Sequence, residues 1–198
     1  MAAASSPKFK LILLGDFGVG KTTLFHRIRT GHFLEHAHTL GQHMDTCEKT
    51  LSLKHHRSHL QVQISLWDTA GEERFLSLSS CYYRDADAVL LVYSIPGPVS
   101  FDNLSHWLCV ARQYCADADI FLLGNKSDLE PCVSEEKAER FAVEHCASGK
   151  YKVSAKTGEN VDQCLQEMVE RLLRKKEFQR SGFHPPLQEV GYYSHCGC

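Results

Sequence analysis

Short, almost wholly apolar runs recur along the chain: FKLILLG at 9–15, AVLLVYS at 88–94 and IFLLGN at 120–125. A strand buried on both faces has this signature, because neither side of it meets water. The stretch 46–68 differs. It reads as two strands around a polar turn near 55–59, and the alternation of Val62, Ile64 and Leu66 fits a strand with one wet face. KYKVS at 150–154 predicts a last short strand. Helical spacing fills the gaps. A helix is expected from Lys21, with Leu24 and Ile28 on one face and Gly31 as its stop. Phe101, Leu104, Leu108, Ala111 and Cys115 share a face, as do Ala138, Phe141, Ala142 and Cys146. Ser134 with Glu135 and Glu136 is a helix start, and Val161, Leu165, Met168, Val169, Leu172 and Leu173 make the clearest stripe. Strands alternating with helices imply an α/β domain: a six-stranded, mostly parallel sheet with helices on both faces and ligands at the carboxyl ends of the strands. The domain is placed at 8–177, after an extension at 1–7 and before a flexible tail at 178–198; from about Ser181 the periodicity fails.

Composition narrows the picture in a few ways. The 198 residues suit one domain plus a tail, and a formal charge of −2 offers no electrostatic case for nucleic acid. No apolar stretch approaches the ~20 residues of a membrane-spanning helix, and the amino terminus lacks a secretory signal pattern. Nine cysteines are scattered without a CxxC pair, so most read as thiols in a reducing compartment.

The chemistry begins at GDFGVGKTT, 15–23, where the first strand ends and a helix begins. Gly15, Gly20, Lys21 and Thr22 match the phosphate-loop pattern in its required context, which places the fold among P-loop NTPases. Glycines let consecutive backbone N–H groups turn onto an anion, and the helix start adds partial positive charge. Lys21 reaches the β- and γ-phosphates and the Thr22 hydroxyl ligates Mg²⁺. The base is read elsewhere. GNKSD at 124–128 puts Asp128 past a strand end, where a carboxylate can accept from the N1–H and 2-amino group of guanine. SAK at 154–156 follows the next strand, and the Ala155 N–H can donate to guanine O6. WDTAGEERF at 67–75 supplies Asp68 for the metal shell and the Gly71 N–H for the γ-phosphate; Thr39 offers a hydroxyl from an intervening loop.

Together, in this order and spacing, these segments resemble a Ras-superfamily small GTPase. WDTAGEERF, SSCYYRDADAVLLVYS and the terminal Cys-x-Cys resemble its Rab branch, the regulators of vesicle traffic. The resemblance implies GTP and GDP as ligands, with Mg²⁺ as cofactor. Gly18, Val19, Gly20, Lys21, Thr22 and Thr23 then hold the phosphates; Thr22 and Thr39 ligate Mg²⁺ directly and Asp68 through water. Asn125, Lys126, Asp128, Ser154, Ala155 and Lys156 hold the guanine, with Phe33 against the base. It further implies effector, exchange-factor and GTPase-activating partners, a prenylation escort protein, a monomer, and lipid anchoring to the cytoplasmic face of intracellular membranes through Cys196 and Cys198.

Three departures stand out. Glu72 occupies the position of the usual glutamine, whose amide orients the attacking water; an ionised carboxylate cannot donate a hydrogen bond, so slow unassisted hydrolysis is expected. Phe17 sits where the phosphate loop is usually small, and either crowds an entering arginine finger or turns outward. Met44 replaces an aromatic in LGQHM, 40–44, so that Met44, Trp67 and Tyr82 stand where an effector-reading trio is expected. Seven of the twelve histidines fall between His32 and His59 without metal-ligand spacing; a modest pH sensitivity of the switch loop is the better expectation. A GTPase switch leads. Its rival is a hydrolysis-deficient, GTP-bound membrane scaffold, and NKSD opposes an ATP-using kinase.

Overall fold

Alternating strands and helices wind into a single sheet of six strands, in the order β2-β3-β1-β4-β5-β6. The computed structural model describes residues 6–35, 45–55, 58–68 and 80–181. The strands are β1 (Lys8–Leu14), β2 (Asp45–His55), β3 (Ser58–Asp68), β4 (Ala88–Ser94), β5 (Asp119–Asn125) and β6 (Gly149–Lys152). All neighbouring pairs are parallel except β2 with β3. The mostly parallel α/β sheet expected from the sequence is the one observed.

The continuous apolar runs are explained by two cores, one on each face. Leu11, Leu13, Leu90, Val92, Phe121 and Leu123 point to one side, against Leu24, Phe25 and Ile28 of α1 (Lys21–Thr30) and the Leu165–Met168–Val169–Leu172 stripe of α6 (Val161–Ser181). Ile12, Leu14, Val89, Leu91, Ile120 and Leu122 point to the other. There they meet Tyr82 of α2 (Ser80–Tyr83), Phe101 of α3 (Pro98–Asp102), Leu104, Trp107 and Leu108 of α4 (Leu104–Tyr114), and Ala138 and Ala142 of α5 (Glu135–Glu144). Period-two alternation feeds both cores from each strand, which keeps these runs apolar at successive positions.

Helix ends follow their local chemistry. Gly31, at φ 76°, closes α1 by donating its N–H to the Arg27 carbonyl at 2.9 Å. The Ser134 hydroxyl accepts from the Lys137 N–H at 3.2 Å and starts α5. Three expectations shift. The face running from Phe101 to Cys115 is divided, because α3 stops at Asp102 and α4 restarts at Leu104; Asn103 lies between them, its side chain drawn to Asp16. Cys146 lies beyond the end of α5, exposed and at φ 50°. The last strand ends at Lys152, because the Ser154 N–H turns to the Glu159 carbonyl and curls the chain into a loop.

Of the described cysteines, Cys47, Cys115 and Cys164 are buried. Burial pushes the Cys115 thiol up to about 11 and that of Cys164 up to about 12, which leaves both protonated and inert at neutral pH. Among the described residues no helix is long and apolar enough to cross a membrane.

Candidate functional site

The carboxyl ends of β1, β3, β4, β5 and β6 face one way, and the loops leaving β1, β5 and β6 converge there. Register enforces this: Leu14 pairs with Leu91, Ser94 with Asn125 and Gly124 with Lys152. The phosphate loop leaves β1 at Gly15. Gly20, at φ 96°, comes so close to β5 that an added Cβ would lie 2.5 Å from Asn125 Nδ2. Gly18, at φ 79°, faces the opposite situation: nothing lies within 4 Å of where its Cβ would be. A loop that is tight on its inner side and open on its outer side is a cradle for an anion.

Lys21 is only 5% exposed, and its ammonium donates to the Gly15 and Asp16 carbonyls at 2.8 and 2.9 Å. Val19 is buried, while Thr22 and Thr23 are half-buried in the first turn of α1. Asp68 is fully buried at the end of β3. A hydroxyl at a helix start and a carboxylate at a strand end are hard oxygen donors, the chemistry Mg²⁺ takes.

Asn125 joins the loops. Its Nδ2 donates to the Val19 carbonyl at 2.9 Å, and its Oδ1 accepts the Ala155 N–H at 3.1 Å. The N–H expected to meet guanine O6 is therefore already engaged by Asn125. Lys126 stands in the left-handed region, φ 65°, and its ammonium reaches back to the Gly18 carbonyl at 2.7 Å. Asp128 is exposed, and one of its oxygens accepts from the buried Ser154 hydroxyl at 2.6 Å. That hydroxyl also accepts the Thr157 N–H at 3.0 Å, which fixes the direction of its own proton toward the carboxylate. The remaining oxygen of Asp128 keeps its acceptor capacity. Phe33, just past α1, is 38% exposed.

Several supports are not among the residues singled out from the sequence. Asp16 is clamped by α4 and the residue before it, with the Trp107 indole N–H and the Asn103 amide each donating to a different carboxylate oxygen at 2.7 Å. Arg27 of α1 grips the carbonyls of Ala155 and Lys156 in the loop after β6, although its sequence setting is that of an ordinary solvated helix residue. An acid inside the phosphate loop and a tryptophan in an apolar stripe are the signals the sequence offers for the first of these; it offers none for the second.

Phe17 is 62% exposed, so the ring stands on the outside of the loop rather than in the core. Tyr82 is fully buried and its hydroxyl reaches the Leu13 and Trp67 carbonyls at 3.1 Å. It packs edge-on to Trp67 at 6.1 Å, and of the expected trio Trp67 is the described residue that keeps some surface. Burial thus makes Tyr82 a support for Trp67. Thr39, Met44, Gly71, Glu72, Cys196 and Cys198 lie outside the described residues, as do His36, His38, His43 and His56. Among the described residues no group of three potential metal-binding side chains is found.

Comparison with known proteins agrees with this geometry. The family model described as the Ras family matches residues 10–174. Ras-related protein Rab-13 of Rattus norvegicus is 39% identical over 186 residues, spanning 92% of this chain and 88% of that protein. Ras-related protein Rab-26 of Homo sapiens is 36% identical over 195 residues, with 95% and 74% covered. Ras-related protein Rab-12 of Mus musculus is 37% identical over 172 residues, with 85% and 68% covered.

Proposed function

The chain belongs to the Ras family of small GTPases, in its Rab branch, and from that premise we propose that it is a lipid-anchored GTP/GDP switch of membrane traffic with slow intrinsic hydrolysis. The observation that carries the nucleotide-switch reading is the brace made by Asn125. One amide holds the phosphate loop through Val19 and the base loop through Ala155, so the two halves of a nucleotide site are set at a fixed separation. Backbone N–H groups at 18–23, with Lys21, take the phosphates. Asp128, aimed by Ser154, accepts the paired donors of guanine, and adenine offers no such pair.

Thr22, Thr39 and Asp68 are the residues that hold Mg²⁺ in this reading. When bound, the ion neutralises charge on the β- and γ-phosphates. Gly71 donates to the γ-phosphate. Glu72 stands where an amide normally steers water; a carboxylate there accepts but does not donate, and repels an anionic phosphate. Phe17, exposed on the phosphate loop, would narrow the approach for a partner's arginine. Hydrolysis is accordingly slow without assistance, and an activating protein that brings both arginine and glutamine can still drive it.

Glu72 and the exposed Phe17 also favour a second reading, a membrane scaffold that stays GTP-bound. The nucleotide carried by the purified protein separates the two. Denaturation and chromatography should release guanine nucleotide in near-equimolar amount. GDP marks a cycling switch, retained GTP marks the scaffold, and adenine nucleotide would defeat both.

A further inference from the structure

Among the described residues, the Arg27 guanidinium makes three hydrogen bonds, all to backbone carbonyls. Nε donates to Ala155 at 2.9 Å, Nη2 to Lys156 at 2.5 Å and Nη1 to Gly31 at 2.7 Å. A planar fork of five donors can span three acceptors in this way; a lysine ammonium cannot. The peptide unit is planar and trans, so fixing a carbonyl also fixes the N–H of the next residue, pointing the opposite way. Holding the Ala155 carbonyl therefore directs the Lys156 N–H away from the guanidinium. Holding the Lys156 carbonyl orients the Thr157 N–H, and that N–H donates to the Ser154 hydroxyl, which in turn bonds Asp128. One side chain on α1 thus sets both a backbone donor of the base loop and, through Ser154, the carboxylate of Asp128.

We propose that Arg27 is a specificity-positioning residue: it acts through the 154–157 loop, holding that loop's backbone donors against the 6-oxo group of the purine and steadying Asp128 for the other edge. The Ala155 N–H donates to Asn125 Oδ1 at 3.1 Å, which ties the same loop to the end of β5. Gly31 brings in a further element. The Arg27 carbonyl accepts the Gly31 N–H while the Arg27 side chain donates to the Gly31 carbonyl, so the last turn of α1, leading to Phe33, moves with the base loop. The assignment rests on the guanine reading above.

The test compares release of GDP and of 6-thioguanosine diphosphate, whose sulfur is a weak acceptor, from the wild type, Arg27→Ala and Arg27→Lys. In the wild type the thio analogue should leave about tenfold faster, the loss of one good hydrogen bond. In Arg27→Ala that ratio should fall toward one, with GDP release accelerated more than release of the analogue. Arg27→Lys keeps the charge but not the fork, and should resemble Arg27→Ala. Circular dichroism and thermal unfolding establish which variants are folded, and either one suffices for the comparison. Equal acceleration of both ligands, or none, overturns the positioning role. Asp128→Asn keeps the two failures apart. If it moves preference toward xanthosine diphosphate while the Arg27 variants leave the ratio intact, the guanine reading stands and this inference falls. If the wild type prefers ADP, both fall.

Discussion

At the scale of single residues, hydrogen-bond polarity decides most of what the site can do. Asn125 serves because an amide both donates and accepts, joining a carbonyl of one loop to an N–H of another, which a carboxylate could not do. In the proposed reading the same distinction is what slows hydrolysis at Glu72. A carboxylate retains the acceptor face of glutamine and loses the donor face, the one that in this reading would meet developing negative charge. Restoring the amide in Glu72→Gln should raise single-turnover hydrolysis on the order of tenfold, about the worth of one charge-directed hydrogen bond. Nucleotide affinity should be little altered, since the affected contact forms in the transition state. Indistinguishable turnover in the two proteins would locate the slow step elsewhere, with Phe17 the next position to change.

At the scale of elements, the edge of the sheet is fastened by charge. Lys150 and Lys152 of β6 both reach Glu135 in the first turn of α5, and Lys150 also meets Glu139 at 2.8 Å. Hydrogen bonds from Lys150 and then Lys152 hold the Glu135 carboxyl below its ordinary value, against the opposing effect of burial. Burial works against the Lys150 charge, yet its bonds to Glu135 and Glu139 prevail and raise it. A depressed carboxyl stabilises the fold at pH values above its unfolded value and loses that contribution as pH falls through the folded one. Melting temperature should therefore decline on the acid side of pH 4.5, and Glu135→Gln should flatten that limb; the carboxylate is half exposed, so the difference is small. An unchanged acid limb would remove Glu135 from the account. The strands of this sheet were legible because burial on two faces leaves an apolar run that little else produces. The phosphate loop and NKSD were legible as fixed spacings next to such runs. The bracing was not. Asp16 finds Trp107 at a distance of 91 residues along the chain, and Arg27 finds Ala155 at 128; no local periodicity encodes such pairings. The break at Asn103 was hidden for a related reason: Phe101 and Leu104 fill one core from two short helices as well as from a single long one.

At the scale of the whole molecule, the proposed function raises the question of what would hold a nearly neutral protein to a membrane. The formal charge is −2, and no lysine or arginine follows Arg180. Anionic lipid attracts basic segments by about 1 kcal/mol per charge near the surface, so this tail gains nothing by that route. No described helix offers an apolar span either. In the proposed reading, attachment is then left to lipids on Cys196 and Cys198, and two chains anchor where one is marginal and reversible. Replacing both cysteines with serine should move the prenylated pool entirely to the soluble fraction in vesicle flotation, while either single replacement should leave weak, readily exchanging binding. Because the proposed anchor is lipid rather than charge, raising salt should not strip the intact protein from vesicles, in contrast to a polybasic anchor. A doubly substituted protein that still floated, or an intact one released by salt, would require a membrane-binding surface on the folded domain itself.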